Sequence, residues 1–351
     1  MNESDILLTP HQLNDALRLK NRIVMAPMTR AMANADNTPT DAMVRYYARR
    51  ADAGLIITEG TIISAKAQGF YNAPGIYTAA QIESWRHVTA AVHANQGVIF
   101  SQLWHVGRVS HPEYLHGELP VSASETHMTG KIKRGNGLLY GKSRAATLDD
   151  IRELVDTYVQ AAKNAIAAGF DGVEIHGANG YLIDQFLHYQ TNQRTDDYGG
   201  TAENMARFAI EIVKACGAAI GYQRVGLRIS PGGYMNEITT DSRDANVFSF
   251  LLHELSALDI AYIHTGSFDD KVIYPELNRM NMTDFIRLHY SGVVIACGSY
   301  TFAEARAGIA AGKFDLIAYG RPFIANPDLI TRIQHFMPVN DYNASMLDSL
   351  E

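Results

Sequence analysis

The sequence contains very little cysteine: Cys216 and Cys297 are the two in its 351 residues. They form no disulfide framework and no Cys-x-x-Cys motif, which excludes small disulfide-rich proteins and the common zinc and iron–sulfur sites. Long hydrophobic runs are also missing, since none reaches about 18 residues, the length that a membrane helix needs. Residues 1–6 show no basic region followed by an apolar one, as a secretory signal would. We therefore expect a cytoplasmic protein without a membrane partner.

Blocks of basic residues are absent as well. The chain has 30 basic and 37 acidic residues, a formal net charge of −7, which argues against nucleic acid as a partner. Hydrophobic residues make up 47% of the chain and charged residues 19%. A chain of this length and composition can bury a large core, and its length fits one barrel as well as two smaller domains.

Short apolar stretches alternate with amphipathic ones along the chain, a pattern typical of parallel βαβ units. We predict eight strands, at residues 23–27, 55–60, 98–104, 172–176, 225–230, 260–266, 293–298 and 316–320. We predict helices after them, at residues 40–53, 79–95, 148–168, 202–219, 242–258, 282–290, 301–312 and 326–335. Eight such units close a barrel with its active site at the C-terminal ends of the strands. The predicted fold is therefore α/β, a (β/α)8 TIM barrel forming a single domain over residues 1–351.

One connection is much longer than the others. Between Trp104 and Thr147 lie roughly forty residues rich in Gly, Ser, His and Pro, well beyond an ordinary βα loop. Within it, the turn signal Arg134-Gly-Asn-Gly137 separates two short stretches that could pair. We expect residues 105–147 to form a capping hairpin subdomain on the catalytic face, after strand three.

The stretch around the fourth predicted strand carries the strongest chemical signal. The strand runs into His176, Asn179 and Tyr181 at its C-terminal end. His176 and Asn179 would share a face if the chain turned helically there, whereas only an irregular turn at Gly180 would bring Tyr181 to the same ligand. Two donors beside a phenol suit reduction of a polarised double bond, with the phenol giving a proton to carbon. The alternative is that all three merely fill a strand-to-helix loop.

Other strand ends point to a phosphorylated ligand. Small residues end the last two strands at Gly298-Ser299 and at Gly320-Arg321, the place where barrels of this type bind phosphate. Arg228, Gln102 and Thr29 end three further strands and match the alternating donors and acceptors of a flavin pyrimidine edge. A phosphorylated flavin therefore fits better than a sugar phosphate.

Several ordered motifs make the chain resemble a known family. They are Asn21-Arg-Ile-Val-Met-Ala-Pro-Met-Thr-Arg30, Ser101-Gln-Leu-Trp-His-Val-Gly-Arg108, His176-Gly-Ala-Asn-Gly-Tyr-Leu-Ile-Asp-Gln-Phe186, Asn192-Gln-Arg-Thr-Asp-Asp-Tyr-Gly-Gly200 and Gly320-Arg-Pro-Phe-Ile-Ala-Asn-Pro-Asp328. In this order, from residue 7 to residue 333, they resemble the Old Yellow Enzyme family of FMN-dependent ene-reductases. Within that family they are most similar to the N-ethylmaleimide and nitro-ester reductase group.

The resemblance implies a role for each of these positions. His176 and Asn179 would bind the substrate oxygen, and Tyr181 would protonate carbon after hydride leaves flavin N5. Phe70 and Trp104 would shape the substrate pocket. The residues expected to hold FMN non-covalently are Pro27, Met28, Thr29, Gly60, Gln102, Arg228, Gly298, Ser299, Gly320 and Arg321.

The implied activity is NADPH or NADH dehydrogenase activity that reduces activated C=C bonds of enones and maleimides, with nitro compounds and nitrate esters as further candidates. The chain would be a monomer or a homodimer acting on a small molecule. Thr29 replaces the cysteine of some family members, and the usual C-terminal aromatic segment is missing after Pro338.

Two rival functions remain at this point. One is a flavin-free barrel lyase or isomerase that acts on a sugar phosphate with His176 and Tyr181 as acid and base. The other is a non-catalytic FMN-binding redox sensor. The histidines of the long connection, at positions 105, 111, 116 and 127, lack ligand spacing with carboxylates or thiols, so no metal site is expected.

Overall fold

The fold comes from a computed structural model, which describes residues 5–132 and 137–350. In chain order its strands are β1 (His11–Asn14), β2 (Leu17–Leu19), β3 (Ile23–Met25), β4 (Leu55–Ile62), β5 (Ile99–Trp104), β6 (Val121–Ser122), β7 (Arg144–Ala145), β8 (Gly172–Gly177), β9 (Val225–Ile229), β10 (Tyr262–Thr265), β11 (Val294–Ala296) and β12 (Leu316–Tyr319). Its α-helices are α1 (Asp41–Ala48), α2 (Ala79–Ala94), α3 (Leu148–Ala167), α4 (Leu182–Leu187), α5 (Ala202–Ile220), α6 (Asp244–Ser256), α7 (Met282–His289), α8 (Phe302–Ala310), α9 (Arg321–Ala325) and α10 (Leu329–Gln334).

Eight of these strands form a closed parallel barrel in the order β3-β4-β5-β8-β9-β10-β11-β12, with β12 pairing back to β3. The helices follow the strands, so the predicted TIM barrel is confirmed. Several strands end earlier than the sequence predicts. At the end of β11, Gly298 has a φ of +140°, a conformation outside the extended strand range. After β3, Pro27 has no N–H to give to a sheet ladder.

The first helix is shorter than predicted, because α1 ends at Ala48 rather than at residue 53. The guanidinium of Arg50 donates to the carbonyl of Tyr46 at 2.8 Å, the group that a continuing helix would have used for its own backbone bond. The N–H of Arg50 turns instead to the carbonyl of Tyr47. The predicted helix at 326–335 also starts later, and a short helix, α9, that the sequence did not suggest precedes it.

A hairpin that the sequence did not reveal closes the N-terminal end of the barrel. β1 and β2 pair antiparallel, and Asn14 bonds the carbonyl of Gln223, just before β9. Leu13 and Leu19 of this hairpin are buried in one cluster with barrel residues such as Val24 and Phe100. The floor of the barrel is therefore a packed apolar plug.

The interior of the barrel changes character from bottom to top. Because side chains alternate along a strand, residues two apart share the interior. On β5, Phe100 lies in the apolar cluster and its ring is 5.8 Å from that of Tyr262 on β10. One step higher, Gln102 and His264 take the corresponding positions, and both are buried. A polar layer therefore lies directly below the C-terminal mouth.

The long connection forms a hairpin beside that mouth, as predicted. Bridges join His127 to Lys142 and Lys131 to Leu139 in antiparallel register. Residues 134–136 of the predicted turn lie outside the described residues, and its last residue, Gly137, has a φ of +89°. The hydroxyl of Thr129 donates to the carboxylate of Glu237 at 2.6 Å, which fastens the hairpin to the loop after β9.

Over residues 5–132 and 137–350, none of the helices combines the length and the hydrophobicity that crossing a bilayer requires.

Candidate active site

The loop after β8 brings His176, Asn179 and Tyr181 together by a left-handed turn. Asn179 has a φ of +62° and Gly180 a φ of +76°, so the chain does not turn helically after the strand as the shared-face argument assumed. Asparagine and glycine are the residues that adopt this conformation most readily. The turn places the ring of Tyr181 5.1 Å from that of His176. The irregular turn that Tyr181 needed is therefore present.

Aromatic side chains form the wall next to this loop. The indole of Trp104, at the end of β5, lies 4.9 Å from the ring of Tyr181 in an edge-on arrangement. Phe70 stacks on Trp104, with ring centroids 5.3 Å apart. A Cβ atom on Gly60 would lie 2.4 Å from Cε3 of Trp104. Glycine at position 60 is therefore what allows the indole to lie flat against β4.

His176 is buried and electrically neutral. Burial, together with the positive charge of Arg228, holds the pKa of His176 well below its ordinary value. Its Nδ1 atom has no hydrogen-bond partner among the described residues. A neutral imidazole carries one N–H donor and one acceptor nitrogen, so it can bind a ligand oxygen without bringing a charge.

The loop after β9 holds Asn179 by four hydrogen bonds, the longest of them from the hydroxyl of Ser230 to Oδ1 of Asn179 at 3.4 Å. The N–H of Asn179 donates to the hydroxyl of Ser230 at 3.0 Å, and its carbonyl accepts from the amide of Asn236 at 2.8 Å. The hydroxyl of Tyr234 donates to Oδ1 of Asn179 at 2.5 Å. These contacts use the backbone and the amide oxygen, so the amide nitrogen of Asn179 is the group left for a ligand.

Tyr181 is held as a neutral phenol. Burial raises the pKa of its hydroxyl well above the ordinary value of 10. Below that pKa the phenol keeps its proton, so the hydroxyl can donate it to a bound molecule. The neighbouring backbone is fixed too, because the N–H of Gly180 donates to the carboxylate of Asp184 at 2.7 Å.

A buried charge cluster supports this loop from behind. Nδ1 of His188 lies 2.8 Å from a carboxylate oxygen of Asp244, and Nε2 lies 3.3 Å from Oδ1 of Asp184. The second is an ion contact rather than a well-aligned hydrogen bond. Burial alone lowers the pKa of His188, but the two carboxylates outweigh it and raise the pKa to about 10. A buried imidazolium thus joins α4, the helix that follows this loop, to the start of α6.

The polar layer below the mouth is one connected network. The amide nitrogen of Gln102 donates to Glu174 at 2.8 Å, and the other oxygen of Glu174 lies 2.8 Å from Nδ1 of His264. Burial alone raises the pKa of Glu174, but His264 and Arg228 lower it below its ordinary value. Burial lowers the pKa of His264. A carboxylate that accepts from a neutral imidazole fits both shifts, and it leaves the oxygen of Gln102 as an acceptor.

Arg228 is unmatched in the sense that it forms no ion pair within the described part of the chain, although Glu174 is close enough for its pKa to respond to the guanidinium charge. The side chain of Arg228 is 6% exposed, and one Nη atom contacts Sγ of Cys297 at 3.8 Å. Its Nε atom finds no hydrogen-bond partner among residues 5–132 and 137–350. Because a buried guanidinium is costly without an acceptor, this geometry calls for an electron-rich partner at the mouth. The acceptor edge of a flavin pyrimidine, N1 and O2, has that character.

The remaining predicted flavin residues lie at the ends of β3, β11 and β12. Pro27, Met28 and Thr29 follow β3 and are half-buried. A Cβ atom on Gly320 would lie 3.1 Å from Sδ of Met28, so these two strand ends touch. Gly298 is buried against Asp270, since a Cβ atom there would lie 2.5 Å from the N atom of Asp270.

Ser299 and Arg321 are exposed beside these glycines. Arg321 makes no ion pair within the described part of the chain. A free guanidinium next to two small residues suits a phosphate group. Together with the unmatched Arg228, this donor set fits a phosphorylated flavin.

Sequence reasoning missed Glu174, His264 and Tyr234. The signal for Glu174 was present, because it stands two residues before His176 on the same strand and must share its side. His264 likewise lies in a predicted strand, two residues after Tyr262. Tyr234 had no such signal, because it lies in an irregular loop and its contact with Asn179 depends on the loop after β8.

A barrel that offers its mouth to a phosphorylated flavin and keeps a phenolic proton donor beside it is of the flavin-dependent TIM-barrel oxidoreductase class. Comparison with known proteins agrees. The model of the NADH:flavin oxidoreductase / NADH oxidase family matches residues 6–340. The chain therefore belongs to this family and is an oxidoreductase.

Individual relatives support the assignment. A putative 12-oxophytodienoate reductase 2 of Oryza sativa subsp. japonica is 40% identical over 348 residues, covering 97% of this chain and 89% of the relative. The structure of an Old Yellow Enzyme homologue from Zymomonas mobilis superimposes with a TM-score of 0.91 at 40% identity, covering 97% of this chain and 96% of the other. Morphinone reductase in complex with tetrahydroNAD gives a TM-score of 0.88 at 40% identity, covering 97% and 93%. The resemblance to the Old Yellow Enzyme family is thus confirmed.

Proposed function

We propose that this chain reduces activated C=C bonds, with NADH or NADPH as the source of electrons and FMN bound non-covalently at the barrel mouth. The observation that carries the proposal is the placement of three side chains at the barrel mouth. The ring centroid of the protonated Tyr181 lies 5.1 Å from that of the neutral His176, and the amide nitrogen of Asn179, beside them, is left for a ligand. Bound FMN would supply the hydride.

His176 and Asn179 would bind the oxygen of the substrate. Two neutral donors that converge on a carbonyl or nitro oxygen stabilise the negative charge that develops there during reduction of a conjugated double bond. Because both groups are uncharged, they favour a neutral electrophile over an acid. Enones and maleimides are therefore the proposed substrates, with nitro compounds and nitrate esters as further candidates.

Tyr181 would deliver the proton. Its raised pKa makes the phenol of Tyr181 a weaker acid than a phenol in water. The carbanion or enolate carbon formed by hydride addition is strongly basic, so it can still take the proton from Tyr181. The edge-on contact with Trp104 fixes the direction of the phenol ring. Trp104 and Phe70 would cover the reacting carbon and keep water away from it.

The residues proposed to hold FMN are those of the ten predicted positions. Arg228 would face the acceptor edge of the flavin ring. The side-chain oxygen of Gln102 would accept a hydrogen bond from the N–H of that ring. Gly298, Ser299, Gly320 and Arg321 would surround the phosphate. The first two contacts are supported by the unmatched guanidinium of Arg228 and by the bond that turns the nitrogen of Gln102 towards Glu174.

We further propose that residues 105–147 form a wall of the substrate pocket within a single domain, since Thr129 is bonded to the loop that carries Tyr234. A cytoplasmic location and a monomeric or homodimeric state are proposed with it, without a nucleic acid or membrane partner. The net charge of −7 and the two cysteines support the location and the partner.

The experiment separates the two halves of the reaction. The purified protein should carry a flavin absorption spectrum, NADH or NADPH should bleach it in the absence of oxygen, and 2-cyclohexenone or N-ethylmaleimide should restore it. Replacement of both donors in a His176→Ala/Asn179→Ala variant should slow the second step by at least about a hundredfold, as loss of oxyanion donors does.

A bleached flavin that no alkene reoxidises would contradict the proposal and favour a non-catalytic redox sensor. A protein that binds no FMN would contradict both the proposed cofactor and the proposed reaction. The family match does not favour a flavin-free lyase or isomerase.

A further inference from the structure

Glu59 lies outside the predicted site, yet it binds the segment that follows β3. It is on β4, next to Gly60, and is 1% exposed. Its Oε2 atom accepts hydrogen bonds from the N–H groups of Arg30 at 3.0 Å and Ala31 at 3.1 Å. Ala31 has a φ of +54°, so two successive N–H groups converge on one oxygen and form an anion-binding nest.

The other side of the carboxyl group is bonded to α1. The hydroxyl of Tyr47 donates to Oε1 of Glu59 at 3.3 Å and accepts from the N–H of Glu59 at 3.0 Å. The carboxyl group therefore ties three parts of the molecule together: β4, α1 and the segment after β3. The peptide between Thr29 and Arg30 is one of its two backbone partners.

We propose that Glu59 is a positioning residue for FMN: it fixes the segment Pro27-Met28-Thr29 through the N–H groups of Arg30 and Ala31. This inference rests on the proposed function, because it assumes that the segment lines the flavin. Glu59 itself is 1% exposed and bonded within the protein, so it would touch neither the flavin nor the substrate. Its effect is to hold Thr29 in the one backbone arrangement that the flavin meets.

The strength of the hydrogen bonds from Arg30 and Ala31 to Glu59 depends on the charge of the carboxyl group. A carboxylate accepts hydrogen bonds more strongly than a protonated carboxyl group does. When Glu59 gains a proton on Oε1, the bond to Tyr47 must reverse, and the hydroxyl proton of Tyr47 loses its acceptor. The nest then faces a carbonyl oxygen instead of a carboxylate.

Burial raises the pKa of Glu59 to about 7, so this change falls in an accessible range. The charged and titratable groups around it are the hydroxyl of Tyr47 and the guanidinium of Arg30, which lies over the ring of Tyr46 at 5.0 Å. The guanidinium of Arg50 lies over the same ring at 3.8 Å.

The test is the affinity of the apoprotein for oxidised FMN, measured by flavin fluorescence between pH 6 and pH 8.5 in the wild type and in Glu59→Gln. Oxidised FMN is used because its ring is uncharged. The FMN phosphate also titrates in this range, with a pKa near 6. The ratio of the two dissociation constants cancels that contribution, because it is common to both proteins.

At pH 8.5 we expect Glu59→Gln to bind FMN about three- to tenfold more weakly than the wild type, the loss expected for about one ordinary hydrogen bond, because the two bonds to the nest are weakened rather than removed. At pH 6 the wild type is protonated too, so the ratio should approach 1. A merely structural role would give a ratio that does not change with pH. A constant ratio, or equal affinities throughout, would overturn the proposal.

Tyr47→Phe provides a second variant that keeps the carboxyl group. Loss of the phenol removes a donor that favours the charged form, so the pH at which FMN affinity changes should rise while the change itself remains. Disappearance of the transition in Tyr47→Phe would contradict the assignment to Glu59. A wild type that binds no FMN at any pH would refute the proposed function as well. The wild-type titration alone therefore distinguishes failure of the proposed function from failure of the role of Glu59.

Discussion

The hydroxyl of Tyr234 donates to Oδ1 of Asn179 at 2.5 Å, and it thereby decides which end of the amide faces the ligand. Burial raises the pKa of Tyr234 well above its ordinary value, so the phenol remains a donor at any working pH. The amide oxygen is engaged, which leaves the amide nitrogen as the group available to a ligand. A residue that the ligand need not touch therefore makes Asn179 a donor.

Tyr234→Phe should weaken the reduction of enones. The ring and its contact with Phe268, at 5.3 Å between centroids, would remain, but the amide of Asn179 could rotate and present its oxygen. We expect kcat/KM for 2-cyclohexenone to fall about tenfold, the cost of roughly one buried hydrogen bond. Tyr198→Phe is the matched control, because its hydroxyl bonds Glu211 at 2.9 Å away from the site.

A double-mutant cycle distinguishes orientation from general damage. In an Asn179→Ala background, Tyr234→Phe should change kcat/KM by less than about twofold, because the amide it orients is gone. Additive losses in the cycle would show that Tyr234 acts in some other way.

Tyr181→Phe should slow the reoxidation of the flavin by enones while leaving its reduction by nicotinamide nearly unchanged. Only the alkene step needs a proton on carbon, and loss of a positioned acid costs about 10²- to 10⁴-fold. Rapid-mixing measurement of each half-reaction checks this. Equal losses in both halves would contradict the role of Tyr181, and nitro compounds and nitrate esters should show a smaller effect.

The buried imidazolium of His188 should make stability depend on pH at the alkaline side. Its pKa is raised from 6.5 to about 10 in the fold, so its contribution is fully present below pH 6.5 and is lost as the pH rises towards 10. His188→Gln should cost about 3–5 kcal/mol at pH 6.5, because two buried carboxylates lose their counter-charge. Urea unfolding at pH 6.5, 8 and 9.5 measures both effects.

His93→Gln is the control for His188→Gln. His93 lies 3.0 Å from Asp171, but the two side chains are 39% and 27% exposed. Its loss should cost less than about 1 kcal/mol. If His188→Gln were as stable as the wild type, the ion pairs of His188 would make no net contribution to the free energy of unfolding.

Gly60→Ala should disturb the substrate pocket through Trp104. A Cβ atom at position 60 would lie 2.4 Å from the indole, so Trp104 would have to move. We expect a loss of about 1–3 kcal/mol of stability, as for other overpacked sites, and a higher KM for the alkene. Near-ultraviolet circular dichroism would report the displaced indole. Gly141→Ala, where no described atom lies within 4 Å of an added Cβ, should leave the spectrum and the stability unchanged.

The barrel could be predicted from the sequence because its strands are short, mostly apolar runs at regular spacing. The same regularity placed Gln102, Arg228 and His176 at strand ends, where the fold brings them to one rim. The polar layer was less visible, since Glu174 and His264 interrupt runs that otherwise indicate a core. Their partners lie on different strands, and only closure of the barrel brings Glu174 within 2.8 Å of His264.

Features that depend on contacts between loops could not be predicted in this way. The left-handed turn at Asn179 is held by Ser230 and Asn236, about fifty residues further along the chain. The early end of α1 results from the bond of Arg50 to a helix carbonyl, which no periodicity reveals. The β1–β2 hairpin is too short to stand out, and it forms because the open bottom of the barrel needs apolar cover.

That hairpin has a kinetic consequence. Among the described residues, Leu13 and Leu19 cover the lower end of the cylinder, so we expect ligands to share one doorway, on the side of His176 and the long connection. Electron donor and electron acceptor must then take turns at that doorway, and an excess of either should obstruct the other. A plug of two leucines, remote from any reacting atom, would thus dictate the order of events in each catalytic cycle.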